Sequence, residues 1–230
     1  MSLTITWLGH SCFLFEEGGV AAIIDPFMTG NPKCPLKPQE LPHVDAVLVT
    51  HDHGDHVGDA VQIANSSNAI CACIVGTAQA LAKKGLKKEL IPCGSGFNIG
   101  GTINVNGIEI TMTQAFHTSE SGLPAGYVIK MPSGYTIYHA GDTGIFGDMA
   151  IIGELYHPNL ALLPTGGFYT MDSTQAAYAC KLISSPYVIP MHWGTFGVLE
   201  QNTNKFKSEV AKISTKTSVL DCTPGIKNVF

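Results

Sequence analysis

Clustered positive charge is scarce in this sequence. Lysine and arginine together supply 13 of 230 residues against 18 acidic groups, giving a net charge of −5. No basic run extends beyond the pairs Lys83-Lys84 and Lys87-Lys88. Neutralising a nucleic-acid backbone takes grouped cations, so no nucleic-acid partner is expected. Long apolar runs are missing too. None approaches the roughly eighteen residues that span a bilayer, and no membrane span is expected. The opening MSLTITWLGHS has neither a basic leader segment nor a cleavable apolar stretch, and it reads as a strand instead of a signal peptide. Cysteine pairing is absent as a pattern: the seven cysteines, at 12, 34, 71, 73, 93, 180 and 222, include no C-x-x-C. Scattered thiols of this kind behave as small buried hydrophobes in a reducing compartment, which points to the cytoplasm. Charged residues reach only 13% beside 45% hydrophobic ones, the balance of a folded chain and not of a disordered one. A single well-cored domain over 1–230 is expected.

Along the chain, LTITWL (3–8), CFLFEE (12–17) and VAAIID (20–25) read as strands between glycine-containing turns. A proline-rich loop at 31–42 precedes the short apolar strand DAVLVT (45–50). Apolar positions 60, 61, 63 and 64 suit a short helix, AICACIVG (69–76) a strand, and TAQALAKKG (77–85) a helix with Thr77 as N-cap and Gly85 at its end. FNIGGTINVNGIEITMTQAF alternates and carries Gly-Gly and Asn-Gly turn pairs, and AGYVIKMPSGYTIYHAGD turns at Pro132-Ser133-Gly134. Helices are expected at 145–156, 175–183 and 204–214. Strands are expected in LALLPT and YVIPMHW, with two more in the closing TSVLDCTPGIKNV. Hairpin-rich sheets with helices outside make an α/β fold, a four-layer α/β/β/α sandwich.

The apolar run VLVT (47–50) leads directly into three histidines and three aspartates within the nine residues 51–59. Burying such groups unpaired costs several kcal/mol, and a bound cation is the usual compensation. In His51-x-His53-x-Asp55-His56, histidines two apart converge on one point when the backbone is extended. Asp55 and His56 then fall on the next bend, toward a second point. Imidazole and carboxylate without a nearby thiolate suit zinc, iron or manganese, and argue against a closed structural zinc site. Three further junctions end an apolar strand in a candidate ligand: His117, Asp142 and His192. All would share one edge of the sandwich with His51.

THDHGDH, the isolated His117, HAGDTG and PMHWGTF resemble, in order and across the whole chain, the successive ligand motifs of metallo-β-lactamase-fold hydrolases. WLGHSCFLFE, IDPFMTGNP, GDMAIIGEL and LPTGGFYTMD are similar to a narrower branch, the uncharacterised metal-dependent hydrolases related to ascorbate-6-phosphate lactonases. A remoter similarity is to N-acylphosphatidylethanolamine phospholipases. The resemblance implies His51, His53 and His117 on one metal, Asp55, His56 and His192 on a second, and Asp142 bridging. It implies two divalent ions, zinc first, with manganese or iron as alternatives. Gly167-Phe168 in GGFYTM stand where the related proteins carry Asp-Asn, in a segment expected to line the pocket. His53 stands where diiron redox members of the superfamily carry glutamate, which favours hydrolysis.

The function so implied is cleavage of a small ester, lactone or phosphodiester by a metal-bridging hydroxide. Asp55 could relay a proton, and His10, expected at the pocket mouth, could bind a developing oxyanion or protonate the leaving group, with a packed histidine supporting a metal ligand as the alternative. An iron-dependent redox or dioxygenase enzyme and a non-catalytic metal-binding protein are the alternatives. Asp25 is expected to orient a ligand imidazole, and Asp59 to do the same or cap a helix. His139 is expected behind the site or in the core, and His43 and His157 at the surface. The Cys71/Cys73 pair reads as packing and Gly166-Gly167 as a turn. A small-molecule substrate is the expected partner, and a homo-oligomer is left open.

Overall fold

The computed structural model describes residues 2–230. One sheet is built from β1 (Thr4–Trp7), β2 (Phe13–Glu17), β3 (Val20–Ile24), β4 (Ala46–Leu48) and β5 (Ile70–Ala72). The second holds β6 (Thr102–Val105), β7 (Ile108–Gln114), β8 (Ala125–Lys130), β9 (Thr136–His139), β10 (Leu160–Pro164), β11 (Tyr187–Met191) and β12 (Ser218–Val219). The last strand, β13 (Lys227–Val229), returns to the first sheet beside β1. The helices are α1 (Gly54–Val57), α2 (Ala60–Ser67), α3 (Val75–Lys83), α4 (Met149–Tyr156), α5 (Ser173–Ile183) and α6 (Asn204–Ile213). None of the described helices is long and apolar enough to cross a membrane.

The strands are apolar on both faces because both faces are covered. Phe13, Phe15, Ile24 and Leu48 point inward and meet Ile110, Met112, Ile129, Leu160 and Leu162 of the other sheet in one core. Their neighbours Leu14, Ile23 and Val47 point outward and pack with Ile63 and Ala64 of α2 and Leu81 of α3. On the far side Ala161, Leu163 and Val188 pack with Ile152 of α4, Cys180 of α5 and Phe206 of α6. Successive side chains on a strand therefore feed two different cores, and the result is the four-layer α/β/β/α sandwich of the metallo-β-lactamase type.

Strand direction places the site. β3, β4 and β5 run parallel, as do β9, β10 and β11. β7 and β9 are both antiparallel to β8, so they too run the same way. The segments after β4, β7, β9 and β11 consequently leave at carboxyl ends, where crevices form in such sheets. His51, His117, Asp142 and His192 lie on these four segments.

Helix α3 begins at Val75 with Ile74 as its extended N-cap residue, two residues before the expected start at Thr77. Thr77 lies inside the first turn, fully buried, so its hydroxyl is not free to cap. Sequence alone could not reveal this, because Ile74 also makes an isolated bridge to Phe97 that ends the strand early. The expected helix from 145 is confined to Met149–Tyr156.

Gly153 sits on the face of α4 that meets the end of α5, and a Cβ there would overlap the carbonyl group of Ile183. Alanine would gain about 1 kcal/mol in helix propensity. Backbone cannot yield as a side chain does, so the overlap outweighs that gain. Gly153→Ala should cost about 2 kcal/mol of stability, read as a lower denaturant midpoint with an unchanged slope.

Candidate metal centre

After β4 the chain bends at Thr50, His51 and His53, the last with extended backbone, and then makes the single turn of α1, whose first carbonyl partner is His53 O, accepting from His56 N (3.0 Å) and Val57 N (2.9 Å). That change from extended to helical backbone sends His51 and His53 one way and Asp55 and His56 another. Gly58 ends the turn at φ +41°, where a Cβ would overlap the backbone of Pro26 and Phe27. The close approach fixes this loop against the one after β3.

Ring nitrogens of His51, His53 and His117 form one group whose nearest donor atoms all lie within 4.8 Å of one another. Asp55, His56 and His192, together with His10, form a second group of the same kind. Asp142 joins them. Its Oδ2 lies 3.6 Å from His117 Nε2, 3.3 Å from His56 Nε2 and 3.0 Å from His192 Nε2, with the side chain only 3% exposed. The structure thus brings together all seven residues singled out in the sequence, and it places Asp142 between the two groups.

Behind the site, Asp25 is fully buried and accepts hydrogen bonds from Thr50 N (2.8 Å) and Thr50 Oγ1 (2.8 Å). Its Oδ2 also holds His56 Nδ1 at 2.7 Å, leaving Nε2 of that ring aimed at Asp142. His56 Nε2, Asp142 Oδ1 and His192 Nδ1 are buried without a hydrogen-bond partner. Orphaned buried donors and acceptors cost free energy, and their gathering in one place fits a cation held by those groups.

With only the chain's own groups present, burial would lower the pKa of His56, but the carboxylates of Asp142 and Asp25 raise it well above the usual histidine value. Burial likewise works against ionisation of Asp142, and His192 and His56 overcome it and hold the carboxyl well below the usual range. His51 is pushed down to about 3, by burial first and His56 second. Burial also lowers His117. Burial thus favours the neutral form of His51, the form in which an imidazole can ligate.

Three of the residues with positive φ other than glycine lie here: His10 (54°), Asp25 (45°) and His192 (57°). Such backbone is uncommon outside glycine, Asn, Asp and His being the side chains that adopt it most readily, and it persists where surroundings overdetermine it. His10 O accepts from Trp7 Nε1 (2.9 Å) and His192 N (3.1 Å), which ties the first turn of one sheet to the end of β11 in the other.

His10 departs from the expectation of a place at the pocket mouth. It is fully buried, with Nε2 3.2 Å from Asp55 Oδ2 and Nδ1 3.0 Å from Thr195 Oγ1, its ring 4.0 Å from that of His192. Trp7, Phe27 and Phe196 enclose that turn, a tertiary arrangement the sequence LGHS does not reveal. Asp59 also departs. It meets no ligand histidine, and although it occupies the N-cap position of α2 its side chain makes no capping bond there, its Oδ2 accepting instead from Thr29 N (2.8 Å) and Met28 N (3.3 Å). His139 is core, bonded to Ser11 O (3.0 Å) and Gly141 N (3.1 Å), while His43 and His157 are exposed. Cys71 and Cys73 are buried, and Gly167 N donates to Met171 O in a turn.

Several supporting residues escaped the sequence reading. Thr50 and Thr195 stand one residue before His51 and three after His192, and only that adjacency signals them. Asp52 accepts from Ser119 Oγ (2.7 Å) and Glu120 N (2.8 Å), binding the His117 segment to the His51 loop. Thr143 Oγ1 accepts from Phe116 N (2.9 Å), which binds the same segment to Asp142. Above the cluster opens a cleft of about 430 Å³, bordered by Asp55, Thr118, Tyr169, Phe196 and Val198.

Residues 4–192 match the family described as the beta-lactamase superfamily domain. A UPF0173 metal-dependent hydrolase of Lawsonia intracellularis is 53% identical over 98% of this chain and 98% of its own length. One from Nitratidesulfovibrio vulgaris is 52% identical over 98% and 94%. Among solved structures, the metallo hydrolase Igni18 of Ignicoccus hospitalis superimposes with a TM-score of 0.89 at 38% identity, covering 100% of this chain and 99% of that one.

Asp25 at φ +45° tolerates asparagine, which keeps the backbone and removes the charge. Asp25→Asn should let His56 titrate at lower pH in the metal-free protein, followed by histidine NMR. Zinc affinity should fall about 10–100-fold. An unshifted His56 titration would contradict the role given to Asp25.

Proposed function

The chain belongs to the UPF0173 metal-dependent hydrolases of the beta-lactamase superfamily, and from that membership we propose that it hydrolyses a small ester, lactone or phosphodiester at a centre of two divalent cations. The observation that carries this reading is Asp142, whose Oδ2 lies within 3.6 Å of histidines from both groups. His51, His53 and His117 would hold one cation, Asp55, His56 and His192 the other, and Asp142 both. The donor set is imidazole and carboxylate, and no thiol borders the cleft among the described residues. That set suits zinc first and manganese or iron next. Bound there, the cations would polarise the scissile bond and supply water acidified toward neutral pH.

The chain's own groups have distinct tasks. Asp55 is 29% exposed and borders the cleft, so its carboxylate is the group positioned to take up and pass on a proton. His10 holds that carboxylate still. Burial keeps the imidazole neutral, with its pKa lowered to about 4 despite the bond to Asp55. A neutral ring protonated on Nε2 donates to Asp55 and accepts the Thr195 hydroxyl on Nδ1. His10 is therefore a positioning residue and not the acid that meets the leaving group.

His56, with no cation present, has its pKa raised well above the ordinary histidine value by Asp142 and Asp25, against the effect of burial. Its charge stabilises the metal-free fold below the ordinary histidine pKa, and that contribution is lost as pH rises through the raised value. A cation competes with this proton, so its affinity should strengthen as pH rises. Titration of the metal-free protein with zinc in two buffers of different ionisation enthalpy should reveal release of about one proton from this ring.

The decisive experiment is elemental analysis combined with hydrolysis of bis(p-nitrophenyl) phosphate and a lactone panel on one preparation. About two equivalents of zinc or manganese are expected. His53→Ala and Asp142→Ala should each lower kcat/KM by about 100-fold or more. Iron at one equivalent or less, with oxygen uptake and no hydrolysis, would overturn the proposal.

A further inference from the structure

The cleft is lopsided in its chemistry. One wall is the metal-binding cluster; the other is Tyr169, Phe196 and Val198, which are 57%, 38% and 48% exposed. Phe168 stands at 64% exposure with its ring 4.7 Å from that of Tyr169, and Phe116 at 62% exposure lies beside His117. Apolar side chains this exposed around a polar centre mark a surface that a ligand covers. The wall is also held in place. Glu200 N donates to Gly166 O (3.0 Å), Met171 N to Thr143 O (3.0 Å) and Leu199 N to Phe196 O (3.1 Å). Gln201 Nε2 donates to Phe196 O at 2.9 Å. The two loops bearing the aromatic rings are thus stitched together at their bases, so little ordering remains when a ligand arrives.

Lysine and arginine are missing from the lining of the same cleft among the described residues. All 13 basic residues of the chain are lysines, and no lysine borders the cleft among the described residues. Lys33, which approaches the loop after β11, sits over the Trp193 ring at 4.8 Å. Without arginine there is no planar bidentate partner for a phosphate anywhere in the molecule. Cations at the cluster can serve one anionic oxygen at the reacting bond. A second anionic group farther out would lie against Tyr169, Phe196 and Val198 with nothing to pair it.

We propose that the substrate carries an uncharged aromatic or branched apolar arm beside the bond that is cleaved, seated on Tyr169, Phe196 and Val198, and that substrates with a phosphate on that arm are rejected. The proposal rests on the hydrolase reading above and narrows it.

The test compares γ-butyrolactone, γ-phenyl-γ-butyrolactone and 6-phosphogluconolactone on the zinc-loaded protein. The phenyl lactone should exceed the parent lactone in kcat/KM by about tenfold, and the phosphorylated lactone should fall below it. Tyr169→Ser with Phe196→Ser, and separately Val198→Ser, should shrink the phenyl advantage to about threefold or less, with zinc content confirming that the variants are folded. A phosphorylated lactone as the best substrate, or no phenyl preference, would overturn the proposal. Calorimetric binding of phenylacetate against acetate needs no turnover and gives an independent reading. Phenylacetate binding about tenfold tighter, with a negative heat-capacity change, supports the apolar seat. Equal binding overturns it. Tighter phenylacetate binding without hydrolysis of any lactone, ester or bis(p-nitrophenyl) phosphate would leave the seat standing and remove the hydrolase reading alone.

Discussion

Asp142 keeps a carboxylate almost wholly out of water, and most of the architecture follows from what that requires. An isolated carboxylate in such a place would cost far more than a domain's whole stability, so opposite charge must lie within contact distance. It comes in alternation. Asp25 touches His56 at 2.7 Å, His56 approaches Asp142 at 3.3 Å, and Asp142 meets His192 at 3.0 Å. These residues follow β3, β4, β9 and β11, two strands from each sheet. Four strand ends must therefore arrive at one edge and one height, and the parallel runs within both sheets supply that alignment.

The same demand explains where the backbone is strained. Of the residues other than glycine at positive φ, Asn68, His157 and Ser184 end helices and Asn106 turns a hairpin, which are ordinary uses of that conformation, and Cys93 lies in the short turn 92–94. His10, Asp25 and His192 have no such local excuse. Each turns its side chain from a strand end back toward the cluster, and hydrogen bonds from the opposite sheet or a neighbouring strand hold the turn.

Much of this was legible in the residues. The apolar run that opens FLFEE, the continuous apolarity of LALLP and the turn at Asn106-Gly107 specify strands and hairpins from their own chemistry. The spacing of His51, His53, Asp55 and His56 carries the division into two groups, because one turn of helix between His53 and Val57 is a local event. What could not be read depends on distant chain. His10 is hidden by Phe196 and bonded to Thr195, residues about 185 positions away. Asp59 faces the loop after β3 across a separation of 30 residues. Thr77 looks like a cap in its own sequence and loses that role because Ile74 is claimed by Phe97. Local propensity decides elements; contacts between loops decide which polar group faces which.

The strand that completes the first sheet has a consequence for how the molecule is made. β13 lies along β1, where Thr4 pairs with Val229, and Asn228 reaches Ile5 across a separation of 223 residues. On a ribosome, β1 emerges well before its partner β13. Until then the edge of β1 is an open row of backbone donors and acceptors, available to any other extended chain. A contact of this span closes late and contributes to slow folding. The nascent protein thus passes through a stage in which its helices and second sheet can be in place while one seam stays unsealed, and β13 acts as the closure.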